Sequence, residues 1–110
     1  MQIGKLTAMT GVSIRMLRYY ESIGLLHPTR TEAGYRRFTL DDIDVVKRIL
    51  ILNRAGFSLT AIHGLLICVN AGATPCEPLK IKIREQLPRI ERQVETLNES
   101  RKLLNQFLTN

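Results

Sequence analysis

Residues 13–21 of this 110-residue chain have the sequence SIRMLRYYE, and this stretch decides the fold. The hydroxyl of Ser13 can accept a hydrogen bond from a free backbone N–H two or three residues on, so Ser13 is predicted to cap a helix. Ile14 and Leu17 share one side of that helix at helical spacing. The other side carries Arg15, Arg18 and Tyr19. The stretch therefore predicts a helix with one packing face and one face that can contact an anion.

The residues before and after this helix complete a helix-turn-helix pattern. Apolar residues recur from Ile3 to Met9, and Thr10-Gly11 then interrupts the pattern. This predicts a short first helix and a glycine turn, and Gly24 is predicted to end the second helix.

Residues 29–38, TRTEAGYRRF, have the character of a β-hairpin. Polar residues surround Gly34, and an aromatic and basic run follows it. We call this predicted hairpin the wing.

Two further helices are predicted between the wing and residue 70. Thr39 caps the first of them, since three aspartates follow within its first turns, where the helix dipole favours negative charge. The expected buried side of this helix consists of Ile43, Val46, Ile49, Leu50 and Ile51. Gly56 ends it, and Ser58 caps a helix that runs through about Asn70.

The chain after Cys76 has an apolar seam with alternating steps of four and three residues. Its members are Ile83, Leu87, Ile90, Val94, Leu97, Leu104 and Leu108, and Arg101 occupies the one missing step. A spacing of 3.5 residues over more than three heptads is typical of a coiled coil. A helix of about 35 residues is roughly 50 Å long and cannot bury this seam against a small domain at its root. The seam therefore predicts a homodimer, although Pro88 is expected to bend the helix.

Charge and composition favour an anionic partner. The net charge is +6, and residues 1–40 hold six basic residues against two acids, so four of the six excess charges lie in that segment. Such a basic region suits nucleic acid. The uncharged segment 55–75 is too interrupted by polar residues and glycines for a membrane span. Two cysteines and the lack of a secretory signal favour the cytoplasm.

Several short motifs, in order and spacing, resemble the MerR family of bacterial transcriptional regulators. They are Gly11-Val12-Ser13, Leu17-Arg18-Tyr19-Tyr20-Glu21, Gly24-Leu25-Leu26, Pro28, Gly34-Tyr35-Arg36 and Gly56-Phe57-Ser58-Leu59. The resemblance implies a winged helix-turn-helix domain and an antiparallel coiled-coil dimer. It also implies binding to double-stranded DNA across a palindromic promoter with an overlong spacer, which the activated regulator untwists for RNA polymerase.

The expected architecture is mainly α. Residues 1–70 are the predicted winged helix-turn-helix domain, 71–75 a linker, and 76–110 the dimerisation helix. The expected DNA contacts are Ser13, Arg15, Arg18, Tyr19, Tyr20, Arg30, Tyr35, Arg36 and Arg37. Tyr20 has two open interpretations, a DNA contact or a core residue, because it shares the apolar stripe of its helix.

Cys76 is a candidate ligand for a soft divalent metal ion. It lies at the start of the long helix, where the helix N-terminus favours a thiolate. In the heavy-metal branch of the MerR family a cysteine at this junction binds metal, together with further cysteines in a later loop that this sequence lacks. Three explanations stay open: a chain cut before such a loop, a regulator that senses thiol chemistry at Cys76, or a regulator with another signal.

Two other function classes compete with a regulator. Small excisionase-type proteins use a similar winged helix to bend DNA, but they lack a long dimerisation helix. An enzyme is not expected, because the sequence has no phosphate-binding glycine loop, no histidine pair at metal-binding spacing and no glycine-flanked serine nucleophile.

Overall fold

The fold is mainly helical and includes the predicted wing. The computed structural model describes residues 1–109, and within them the chain forms five α-helices and one two-stranded sheet. In chain order the elements are α1 (Ile3–Thr10), α2 (Ile14–Ser22), β1 (Thr29–Arg30), β2 (Arg36–Arg37), α3 (Leu40–Arg54), α4 (Leu59–Asn70) and α5 (Glu77–Thr109). We call α2 the recognition helix.

The predicted caps begin three of these helices. The hydroxyl oxygens of Ser13 and Ser58 each accept a backbone N–H three residues on, at 3.2 Å. The backbone N–H of Thr39 donates to the carboxylate of Asp42 at 2.7 Å, at the start of α3. These bonds satisfy groups that a helix leaves unpaired at its first turn.

The unit Met1–His63 has a core to which α1, the recognition helix, the wing and α3 all contribute. Its fully buried large side chains are Leu6, Leu17, Leu26, Phe38, Val46, Ile49 and Ile62. The prediction for Ile51 was wrong, since its side chain is 63% exposed. Two residues beyond the buried Ile49 correspond to about 200° around a helix, which places Ile51 on the opposite side of α3.

The wing is a short antiparallel hairpin. Thr29 lies opposite Arg37, and Arg30 lies opposite Arg36. At its turn the backbone N–H of Thr31 donates to the carbonyl of Tyr35 at 2.8 Å.

Beyond β2, the chain returns to the beginning of the sequence. The backbone N–H of Phe38 donates to the carbonyl of Met1 at 2.7 Å. The buried Phe38 ring also anchors this end of the wing in the core.

The second compact unit is Gly64–Asn110, so the division falls inside α4, whereas the sequence pattern placed the end of the first domain at residue 70. Within this unit Gly64 lies close to α5, because a Cβ added there would come within 3.0 Å of Leu79 Cδ1. The α5 helix continues through Pro88 to Thr109. Among residues 1–109, no helix is both long and apolar enough to cross a membrane.

Candidate nucleic-acid interface

A basic cavity of about 150 Å³ lies where α1, the recognition helix and the wing meet. Its lining residues are Gln2, Ile3, Arg18, Gly34, Tyr35 and Arg36. Two arginines and a tyrosine therefore line one concave site, which we call the basic cavity. The first turn of α1 borders it, and the first N–H groups of a helix have no intrahelical acceptor and favour an anion. The arrangement fits a negatively charged oxygen ligand such as phosphate.

The exposed face of the recognition helix carries the side chains that the sequence placed there. Arg15, Arg18 and Tyr19 are exposed, and 49% of the surface of Tyr19 is accessible. Arg18 belongs to the basic cavity, whereas Arg15 lies one helical turn earlier and outside it. Met16 is also exposed, at 39%, on this helix. The face of Arg15, Arg18 and Tyr19 thus combines two cations with one aromatic side chain.

Tyr20 is a core residue, and it leaves the set of expected DNA contacts. Its side chain is only 4% exposed, on the same side of the recognition helix as the fully buried Leu17. Burial also raises the pKa of the Tyr20 hydroxyl above its ordinary value, because the phenolate would lose its solvation. Of the two interpretations left open by the sequence, the structure supports the core.

The wing arginines differ in their surroundings. Arg37 is exposed, as is Tyr35 with 64% of its surface accessible. Arg30 donates from Nη1 to the carbonyl of Gly34 at 3.1 Å, within the wing itself. Arg36 is half-buried and donates from Nε to Glu21 Oε2 at 2.5 Å. The set of expected wing contacts therefore contains two freely exposed side chains and two that also hold the wing together.

Glu21 is a functional candidate that the sequence analysis missed. Besides Arg36, its carboxylate lies 3.6 Å from Arg30 Nη2, so it joins the recognition helix to both wing strands. Its partners lie 9 and 15 residues away along the chain, which is why helical periodicity did not find them. A signal was present nonetheless, because Glu21 is one of only two acids among the first 40 residues.

The seam of α5 is largely accessible in the single chain. Val94, Leu97, Leu104 and Leu108 are between 52% and 86% exposed. Leu87 is 49% exposed, and Ile83 and Ile90 are half-buried. An apolar stripe of this length, interrupted only at Arg101, is unusual on a monomer surface and fits a helical partner.

Cys76 lies immediately before α5, and its thiol is exposed. Its backbone carbonyl accepts the N–H of Lys80 at 3.0 Å, which makes Cys76 the residue that precedes the first helical turn. Within residues 1–109 there is no cluster of three or more cysteine, histidine or carboxylate residues able to hold a metal ion. One thiol does not complete a soft-metal site, so these residues do not by themselves fit a bound metal.

Comparison with known proteins assigns both parts of the chain to one family. Residues 1–67 match the family described as "MerR HTH family regulatory protein". Residues 43–107 match the family described as "MerR, DNA binding". Together the two matches cover the recognition helix, the wing and nearly all of α5.

Individual relatives span most of the chain. The "Heavy metal-dependent transcription regulator 2" of Rhizobium meliloti (strain 1021) is 31% identical over 105 residues, which are 94% of this chain and 71% of the relative. The "Mercuric resistance operon regulatory protein" of Bacillus cereus is 32% identical over 104 residues, which are 94% of this chain and 79% of the relative.

A solved structure with the same fold is that of HiNmlR, described as a MerR family regulator lacking the sensor domain, bound to promoter DNA. It shares 28% sequence identity, with a TM-score of 0.71, over 96% of this chain and 80% of that one. The winged helix-turn-helix, the family matches and these relatives agree. The chain belongs to the MerR family of helix-turn-helix DNA-binding transcription regulators.

Proposed function

We propose that this protein binds promoter DNA as a homodimer and regulates transcription from a palindromic site. The observation that carries the proposal is the basic cavity, where Arg18 and Arg36 converge with Tyr35 beside the first turn of α1. Arginine, tyrosine and helix N-termini are the groups that contact phosphate oxygens in protein–DNA complexes. The cavity is therefore proposed to seat one phosphate of the DNA backbone.

The two arginines of the recognition helix are assigned different DNA contacts, because they lie at different positions along it. Arg18 lines the cavity with the wing, so we assign it to the DNA backbone. Arg15 is the second residue of the helix and exposed, and the N-terminal part of a recognition helix is the part that contacts base edges in the major groove. Arg15 is thus the candidate for the two-pronged contact to guanine.

The exposed seam of α5 supports the homodimer. A second copy of the same helix in antiparallel orientation would cover the apolar positions on both helices. A dimer with twofold symmetry presents its two recognition helices to two symmetric half-sites, which explains why a palindrome is the proposed target.

The proposed mechanism is binding and distortion of DNA, without catalysis. A dimer that holds two recognition helices at a set separation imposes that separation on the DNA between the half-sites, at a deformation cost that the contacts offset. RNA polymerase at the same promoter is the proposed partner that responds to this change. The place of action is proposed to be the cytoplasm, where a bacterial promoter is located.

Selection from a library of random duplexes tests the proposal, because it recovers a preferred site of any sequence. The selected site is expected to be a palindrome, with affinity that falls steeply as salt rises. Arg18→Ala should weaken binding to it by about tenfold or more, because a charged hydrogen bond to phosphate is lost. It should also reduce the slope of log K against log salt by about 0.9.

Arg48→Ala is the matched control for the loss of one positive charge. Arg48 is exposed on α3 and lies outside the basic cavity, so its substitution is expected to change affinity by less than about threefold. Enrichment of no sequence, or an equal effect of both substitutions, would contradict a specific regulator.

A second candidate concerns the signal. We propose that the sulfur of Cys76 is one ligand of a soft metal ion, with the other ligands supplied by the second copy in the homodimer and by water. The proposal is supported by the exposed position of Cys76 before α5 and by the similarity to regulators described as heavy metal-dependent and mercuric-resistance proteins. Thiolate sulfur is a soft ligand and binds metal ions such as mercury, lead, zinc and cadmium.

A titration of the reduced protein with each of these four metals, followed by thiolate absorbance, tests this signal. Tight binding should disappear in Cys76→Ser and persist in Cys68→Ser, in which the half-buried cysteine is replaced. Binding that survives without Cys76, or no binding to the wild-type protein, contradicts the metal proposal and leaves DNA binding untouched.

A further inference from the structure

Glu21 connects the recognition helix to both strands of the wing. It is the eighth residue of α2, and its side chain is 23% exposed. One carboxylate oxygen, Oε2, accepts the Nε–H of Arg36, while the other, Oε1, lies 3.6 Å from Arg30 Nη2. We call these three residues the Glu21 ion-pair group.

The Glu21 ion-pair group offsets the repulsion between two positive charges within the wing. Arg30 and Arg36 are directly opposite each other on β1 and β2, and like charges in such cross-strand pairs are destabilising. A single carboxylate between them offsets this repulsion. No other side-chain ion pair among residues 1–109 joins the recognition helix to the wing.

Arg36 contacts Glu21 through one nitrogen of its guanidinium group. It bonds to Glu21 through Nε, and its two terminal nitrogens have no hydrogen-bond partner in the described part of the chain. The guanidinium is planar and rigid, so a bond to Nε orients both terminal nitrogens at once. Arg36 also lines the basic cavity together with Arg18. A residue held in this way presents two donors to a phosphate without further ordering.

We propose that Glu21 is a positioning residue that orients Arg36 and the wing for one phosphate at the basic cavity. Its negative charge at the same time lowers the general attraction of the protein to DNA. This inference rests on the proposed DNA-binding function and deepens it. A carboxylate beside the interface repels every DNA molecule, whatever its sequence. Glu21 favours a DNA molecule whose phosphate lies in the basic cavity only if the orientation that it gives to Arg36 is needed for that contact.

The positioning role of Glu21 predicts that its substitution changes the affinity for the selected palindrome and the affinity for a random duplex in opposite directions. Glu21→Gln should weaken binding to the selected palindrome by about tenfold, because Arg36 loses its charged partner and its orientation. The same variant should bind a random duplex about two- to fivefold more tightly, because a negative charge beside the DNA is removed. Both affinities are measured on the dimer by fluorescence anisotropy at the same salt concentration.

The other outcomes overturn the proposal. If both affinities fall together, Glu21 supports folding only; if both rise, it acts only as a negative charge. Glu32→Gln is the matched control, because Glu32 is the other acid of the first 40 residues, is exposed in the wing turn and takes part in no ion pair among residues 1–109. Glu32→Gln should raise both affinities slightly or leave both unchanged.

A measurement on the free protein separates this inference from the proposed function. In ¹⁵N NMR spectra, the Nε–H proton of Arg36 should be shifted downfield and should exchange slowly with water, because it is bonded to a carboxylate. The signal should move to the position of a solvated arginine in Glu21→Gln and recover in part in Glu21→Asp. An unchanged Arg36 signal in Glu21→Gln overturns the positioning role. A wild-type protein that selects no DNA sequence would overturn the proposed function instead, whatever this spectrum shows.

Discussion

The hydroxyl oxygen of Ser13 accepts the backbone N–H of Met16 at 3.2 Å, and this bond begins the recognition helix. Ser13→Ala should lower the free energy of unfolding by about 1 kcal/mol, the usual cost of removing a serine cap. Urea denaturation followed by circular dichroism measures the change. Ser22→Ala, at the exposed far end of the same helix, is the control. An equal effect of the two substitutions would show that the cap does not stabilise this helix.

Two glycines should respond to alanine with opposite signs. Gly24 follows the recognition helix with φ of +84°, a conformation that costs energy for any residue with a Cβ, and an added Cβ would lie 3.3 Å from His63 Nε2. Gly24→Ala should therefore destabilise the fold by about 1 kcal/mol or more, the usual cost of such backbone strain.

Gly4 provides the contrast, because it lies within α1 and an added Cβ would meet nothing within 4 Å. Gly4→Ala should raise stability by up to about 1 kcal/mol through helix propensity. Thermal unfolding of both variants checks the pair. A stabilising Gly24→Ala would show that the turn after the recognition helix is not as described.

Burial of Tyr20 predicts a loss of stability at alkaline pH. Its pKa is raised in the folded protein, and the unfolded value is about 10. The neutral phenol therefore contributes stability that is fully present below pH 10 and is lost as the pH rises through the folded pKa. The wild-type protein should lose stability above pH 10 faster than Tyr20→Phe does. Tyr35→Phe, at an exposed position, should follow the wild-type profile. Parallel profiles for wild type and Tyr20→Phe would contradict the assignment.

The seam of α5 predicts the effect of a single charge on assembly. Leu97→Asp should convert the dimer to a monomer at micromolar concentration, because the carboxylate would be desolvated between two apolar helices. Gln106→Asp places the same charge on the opposite side of the helical repeat and should leave the dimer intact. Sedimentation velocity distinguishes these outcomes. A Leu97→Asp variant that stays dimeric would show that the seam has another register.

Local chemistry explains what could be predicted from the sequence. The caps at Ser13, Thr39 and Ser58, and the turn at Gly34, depend on residues within a few positions, so their signals lie side by side in the sequence. The family motifs then gave the order of the winged helix-turn-helix. The exposed position of Ile51 was missed because a run of four apolar residues, 49–52, does not show which of them face the core.

Features that join distant segments could not be derived from spacing. The bonds of Glu21 to the wing depend on how the hairpin folds back over the recognition helix. The same holds for the basic cavity, which combines residues 2–3, 18 and 34–36. Tyr20 remained ambiguous because it is both an aromatic side chain suited to phosphate and a member of an apolar stripe.

The stoichiometry of the DNA complex tests the central claim most directly. Sedimentation velocity of a labelled duplex that carries the selected palindrome should show two copies of this chain per duplex. Binding to a duplex with a single half-site should be weaker by about a hundredfold or more, because the second recognition helix adds its contacts at high effective concentration. One copy per duplex, with equal affinity for the palindrome and the half-site, would contradict a dimeric regulator and favour a monomeric DNA-bending protein.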